Sequence, residues 1–264
     1  VWLGHSSYFV QLGGRRLLID PVFSTYASPV FFANRAFEGT NLYTAEDMPD
    51  IDYLLISHDH WDHLDYATAT ALRSKVGQVV LGVGAHFEAW GYGKETVFEG
   101  DWYSVLEGKG GFAIHILPAR HFSGRSLTRN KTLWAGFALV TPEHRIFFSG
   151  DSGYGKHFAE IGARFGGFDL AMLDCGQYDE NWRYVHMMPE DTAQAAEDLR
   201  ARALLPGHVG KFAIAYHTWD DPFKRIVAAS RGKPYRLLLP LIGEPVALPI
   251  ASDGESLRWW EAGR

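Results

Sequence analysis

The chain has 264 residues, 47% of them hydrophobic and 21% charged, a balance that suits a globular fold with a sizeable core and excludes disorder as its main theme. A net charge of −6 with no Lys/Arg run argues against a nucleic-acid-binding surface, and a single cysteine, Cys175, rules out an intramolecular disulfide. No apolar stretch approaches ~20 residues, so no transmembrane helix is expected. The sequence opens on Val1 without a Met, and we expect that an N-terminal segment is missing. With no signal peptide visible, the location reads as cytoplasmic, with peripheral membrane contact left open.

Tyr8 to Leu12 and Arg16 to Ile19 flank Gly13-Gly14, which predicts a hairpin. Residues 21 to 50 carry Pro29, Gly39 and Pro49 with Phe23, Tyr26, Phe31, Phe32 and Phe37, and read as a long functional loop. The apolar run Tyr53 to Ser57 predicts a buried strand. Helices are expected over Leu64 to Ser74 and Ala85 to Trp90, with a strand over Val79 to Val83 between them. Strands follow around 96–98, 101–106, 112–117 and 133–140, then Arg145 to Ser149. The second half alternates. Helices are expected over Lys156 to Phe165, Pro189 to about Arg200, and Asp220 to Ser230. Pro189-Glu190-Asp191 suits a helix start, because proline lacks the N–H that is orphaned there and acids favour the positive end of the dipole. Strands are expected over Leu170 to Leu173, Ala203 to Leu205, and near 236–239 and 246–248. Strands then helices, twice over, predict one α/β domain across 1–264 with two packed sheets and helices outside.

The chemistry concentrates in His58-Asp59-His60-Trp61-Asp62-His63, directly after a predicted strand. Imidazole and carboxylate are ligands that borderline divalent metals prefer, and His58, His60, Asp62 and His63 are too dense to be explained by packing. One run cannot close two metal sites. Three further candidates sit at predicted strand ends: His121, Asp151 and His208.

The pattern H-x-H-x-D-H, a later lone His, a Gly-Asp and a last Gly-His resembles the metallo-β-lactamase superfamily. The resemblance implies a four-layer αβ/βα sandwich of two mixed β-sheets with the metals at one edge. It implies His58, His60 and His121 on one metal, Asp62, His63 and His208 on the other, and Asp151 between them. Gly4-His5-Ser6-Ser7, Ile19-Asp20-Pro21-Val22-Phe23, the segment Asp50 to Ser57 and Gly150-Asp151-Ser152-Gly153-Tyr154 are similar to N-acylphosphatidylethanolamine-hydrolysing phospholipase D. So are Ile161 to Gly166 with Phe168-Asp169-Leu170, and His186 followed by Pro189-Glu190. In that family a His corresponding to His186 lies near the substrate.

The expected function is that of a dinuclear metal-dependent hydrolase with a metal-bridging hydroxide, acting as a phosphodiesterase on a small molecule or phospholipid. Two divalent ions are expected, zinc first, with manganese or iron fitting similar shells. Asp62, Asp151 and His186 are the catalytic candidates. A lactonase of the ascorbate-6-phosphate lactonase type or a β-lactamase would use the same centre. A non-hydrolytic iron redox protein would need a flavin partner. Asp20 is a candidate partner for a ligand His, Asp59 for the ligand loop, and Asp65 for a helix cap. His5 is a candidate at the site's edge and His217 at its rim. Arg120 and Lys211 are candidate anion contacts, Trp61 an apolar wall, and Cys175 a small buried residue. His86, His115, His144 and His157 read as structural or exposed.

Overall fold

The computed structural model describes residues 1–81, 84–125, 128–250 and 258–261. Two mixed sheets face each other. The first has the order β1 (Tyr8–Leu12), β2 (Arg15–Ile19), β3 (Ile51–Leu55), β4 (Val76–Leu81) and β5 (Val97–Glu99). Only β1 and β2 pair antiparallel, as the Gly13-Gly14 hairpin requires; the later neighbours are parallel. The second sheet starts with the antiparallel ribbon β6 (Val105–Glu107), β7 (Ala113–Leu117), β8 (Gly136–Val140) and β9 (Arg145–Phe148). It continues in parallel through β10 (Leu170–Asp174), β11 (Ala203–Gly207) and β12 (Arg236–Leu237).

Side-chain alternation along the strands builds the layers. On β2, Leu17 and Ile19 enter the core between the sheets with Ile114, Phe137 and Phe148, while Leu18 points the other way. Leu18 joins Leu54 and Val79 beneath α1 (Tyr66–Leu72) and α2 (Gly84–Ala89), which supply Ala69, Leu72 and Phe87. The outer face of the second sheet is covered by α3 (His157–Phe165), α4 (Pro189–Asp198) and α5 (Asp221–Ala229) through Ile161, Ala193, Ala196, Phe223 and Ile226. The result is the four-layer sandwich, and no helix among the described residues is long and apolar enough to cross a membrane.

Three expected strands change. Asp101 to Ser104 form a turn, closed by Ser104 N donating to Asp101 O, so β6 begins only at Val105. Residues 133 to 135 lie outside β8 because Ala135 N donates to Ser57 O, next to the ligand run, rather than to a strand neighbour. Residues 246–248 are not a strand: Pro245 and Pro249 flank them and remove two ladder donors. Val246 and Leu248 pack against the core from a loop instead. In the expected strand over Val79 to Val83, residues 82 and 83 lie outside the described residues.

The long loop after β2 is tied down from below. Lys211 is buried at 1% exposure and its ammonium donates to Val22 O at 2.7 Å, while Phe37 N donates to Lys211 O. Lys211 is therefore an internal strut and not the anion contact expected from adjacency. Burial lowers its pKa from 10.5 to about 8. The folded state thus sheds this proton before the unfolded chain does, so the contribution of Lys211 to stability rises between about pH 8 and about 10.4. Urea unfolding of wild type and Lys211→Met should show their stability difference shifting in favour of wild type across that window; a flat difference would contradict the buried ammonium.

Candidate metal centre

The site forms where the ends of β3, β7, β9 and β11 meet. Asp20, just past β2 in a left-handed conformation (φ 41), accepts Ser57 N at 2.7 Å, Ser57 Oγ at 2.5 Å and His63 Nδ1 at 2.8 Å. These bonds fix both ends of the ligand loop to the sheet. Asp59 accepts Gly124 N at 2.6 Å, and Asp65 caps α1 by accepting Ala67 N, as expected for both. Arg125 donates to Asp59 O and Leu64 O, and its guanidinium lies 3.8 Å from the Trp61 ring centre. The loop after β9 must pass close to Ser57. Gly150 makes this pass at φ 58, where an added Cβ would come within 2.7 Å of Ala135 O.

All seven expected ligand residues converge. Donor atoms of His58, His60, His121 and Asp151 lie within 4.8 Å of one another, as do those of Asp62, His63, His208 and His5. In the first group His58 Nε2 and His121 Nε2 lie 2.9 and 3.2 Å from His60 Nδ1. Asp151 Oδ2 reaches both groups, at 3.8 Å from His58 Nε2 and His121 Nε2 and 3.1 Å from His63 Nε2. His208 Nε2 lies 3.1 Å from Asp62 Oδ2.

The outward nitrogens explain this orientation. His121 Nδ1 donates to Val185 O at 2.9 Å, which leaves an Nε2 lone pair facing inward. His58 Nδ1 meets Ser57 Oγ, His63 Nδ1 meets Asp20, and His208 Nδ1 lies 3.2 Å from Asp174 Oδ1. Asp174, at the end of β10, also accepts His186 Nδ1 at 3.0 Å through its other oxygen. His186 stacks nearly parallel on His208 at 5.1 Å and keeps part of its side chain exposed.

Charge divides the site. Burial lowers His121 to about 3, with Asp151 opposing, and burial with the neighbouring His63 and His60 holds His58 well below its usual value. In the other group burial also opposes charge, but the carboxylates outweigh it: Asp151 and Asp174 raise His208 to about 10, and Asp151 and Asp62 raise His63. The buried cluster thus pairs neutral imidazoles on one side with carboxylate-held imidazoles on the other.

The sequence profile of the "Beta-lactamase superfamily domain" matches residues 15–209, which contain all seven expected ligand residues but not His5. The chain belongs to the β-lactamase superfamily. An uncharacterised protein of Mycobacterium tuberculosis is 40% identical over 254 residues, covering 93% of this chain and 67% of that relative. An N-acyl-phosphatidylethanolamine-hydrolyzing phospholipase D of Caenorhabditis elegans is 33% identical over 227 residues, covering 81% of this chain and 64% of that relative. Among solved structures, an isothiocyanate hydrolase from Delia radicum gut bacteria superposes with TM-score 0.73 at 18% identity, over 91% of this chain and 95% of that one. Family and donor set together make this superfamily member a metal-dependent hydrolase.

The residues fit divalent ions. Among the described residues, His63 Nε2 and Asp151 Oδ1 are buried without a hydrogen-bond partner, an arrangement that is costly unless a cation completes it. The 2.9–3.2 Å separations in the first group are close to the ~3.3 Å edge of a tetrahedron with ~2.0 Å bonds. Sequence reasoning missed Asp174, because a strand-end Asp between apolar residues carries no motif and only the folded chain places it between two imidazoles. It underrated His5. Arg120 lies over the Tyr184 ring with its guanidinium donating to Tyr154 O. His217 accepts Gln177 N, and Cys175 is buried with its thiol pKa pushed up by burial.

Replacing Asp20 with Ala removes the acceptor for His63 Nδ1 and both Ser57 bonds. Metal affinity measured by chelator competition should fall by about 10–100-fold; unchanged affinity would show that the ligand loop orients without this carboxylate.

Proposed function

We propose that this hydrolase cleaves a phosphodiester of an N-acylphosphatidylethanolamine-type phospholipid on the headgroup side of phosphorus. The observation that carries the reading is His186, held by Asp174 beside both donor groups, in a chain 33% identical to a phospholipase of that specificity. His58, His60 and His121 would hold one ion, Asp62, His63 and His208 the other, and Asp151 would join them; zinc suits this imidazole-rich set best. The pair of ions would supply an acidified water and neutralise charge growing on the phosphoryl oxygens. Asp174 accepts Nδ1–H of His186 and so leaves Nε2 for the substrate. As water oxygen bonded to phosphorus and the bond from phosphorus to the headgroup oxygen broke, His186 Nε2 would pass a proton to that leaving oxygen.

Apolar features elsewhere in the molecule suit such a substrate. A cavity of about 190 Å³ lined by Phe37, Val209, Phe212, Ala215 and Trp219 adjoins the His208 segment and fits part of an acyl chain. Phe31 and Phe32 are 78% and 77% exposed on the loop that Lys211 anchors, a disposition suited to a lipid surface.

A panel of phospholipid diesters, lactones and β-lactams, run on protein of measured metal content, tests the reading. Diester turnover is expected; lactone opening without it would favour the lactonase alternative. Asp151→Asn should abolish turnover with the fold intact, and retained turnover would sink the joining role. His186→Gln should lower kcat by about 10²–10⁴ on an alkoxide leaving group, and much less on a nitrophenolate that needs no proton. Equal losses on both would remove His186 as the proton donor. The pair Phe31→Asp and Phe32→Asp should depress hydrolysis in vesicles while sparing a short-chain soluble diester; equal effects would refute the surface contact.

A further inference from the structure

His5 lies outside the seven-residue set, yet its imidazole is wholly buried inside the second donor group. Its Nε2 is 2.9 Å from Asp62 Oδ2, and its ring centre is 4.3 Å from that of His208. By distance alone it would pass for a fourth ligand there.

Two further observations decide its role. A ligating imidazole gives its inward lone pair to the ion, so its outward nitrogen carries the proton and needs an acceptor. The buried imidazoles of the set, His58, His63, His121 and His208, each have one, in Ser57, Asp20, Val185 and Asp174, while His60 is only half-buried. His5 Nδ1 is buried and, among the described residues, no hydrogen-bond partner reaches it. A proton there would be an orphaned buried donor, whereas a bare lone pair is the better-tolerated state. The proton therefore belongs on Nε2, aimed at Asp62.

The backbone of His5 is committed to the same place. The residue takes a left-handed conformation (φ 53), its N–H donates to Val209 O, and its carbonyl accepts His208 N and Trp2 Nε1. Uncommon backbone conformations of this kind persist where the surroundings over-determine them. The N-terminal segment thereby ties a second-group carboxylate, Asp62, to the segment that carries a second-group imidazole, His208.

We propose that His5 is a positioning residue: its neutral imidazole donates Nε2–H to Asp62 Oδ2 and holds that carboxylate in the second site without joining the metal. This rests on the reading that each donor group takes one ion. Sequential chelator titration with zinc should give two equivalents for wild type. In His5→Phe one of the two affinities should fall by about 10–100-fold, with the stoichiometry still two and the other affinity unchanged. His5→Gln, which restores an N–H donor, should recover most of the loss. Fewer than two equivalents in wild type would sink the dinuclear reading and this proposal with it. Two equivalents in wild type with unaltered affinities in His5→Phe would sink the proposal alone. Long-range proton–nitrogen NMR of zinc-loaded wild type needs no variant: a proton on His5 Nε2 supports the proposal, and one on Nδ1 would make His5 a ligand and overturn it.

Discussion

The Asp20 carboxylate holds the site to the fold. One buried group at the end of β2 takes the Ser57 amide, the Ser57 hydroxyl and the His63 imidazole. Burial pushes its pKa up while those same bonds pull it down. A carboxyl is stable in such a place only with its acceptor capacity used, so the loop and the carboxyl require each other. Ser57 in turn sets His58 through Nδ1, and its carbonyl receives Ala135 N from the segment that leads into β8 of the second sheet. Strand end, ligand loop and facing sheet are thus joined through two adjacent side chains.

The same logic recurs on the opposite side. Asp174 does for His208 and His186 what Asp20 does for His63. The Asp174 carboxylate also accepts Ser152 N, and Ser152 Oγ accepts Arg120 N next to His121. The candidate ligands therefore arrive on four separate strand ends and are oriented by hydrogen bonds from the neighbouring loops. Uncommon backbone gathers here too: Asp20, His5 and His208 all have positive φ without being glycine. Sheet ends supply the positions, and hydrogen bonds between loops supply the angles.

What could be read from the sequence divides along this line. The run His58 to His63 was legible because its six residues sit together and announce their chemistry locally. The layered α/β class was legible from the order of apolar runs, and β2, β3, β10 and β11 sit close to where those runs fall. Residues 101 to 104 and 246–248 misled because local strand propensity was overruled, once by a hydrogen-bonded turn and once by flanking prolines. Asp174 and His5 were hardly legible at all. Asp174 sits in a segment with no pattern of its own, His5 stands out only through its family-like Gly4 to Ser7 segment, and each acquires its role from groups far away in the chain.

That asymmetry bears on how such a centre distinguishes ligands from supports. An imidazole near a metal site has two nitrogens, and its inner distance alone does not reveal which one is free. The outer partner does. Ser57, Asp20, Val185 and Asp174 each accept or can accept a proton, so the rings they hold present lone pairs inward. Where the outer nitrogen faces no acceptor, as in His5, the ring presents a proton instead. A carboxylate such as Asp62 can use both kinds of neighbour at once, binding a cation on one lone pair and accepting an N–H on another. Three imidazoles and a carboxylate can therefore crowd one small volume without competing, because they are not all donors of the same kind.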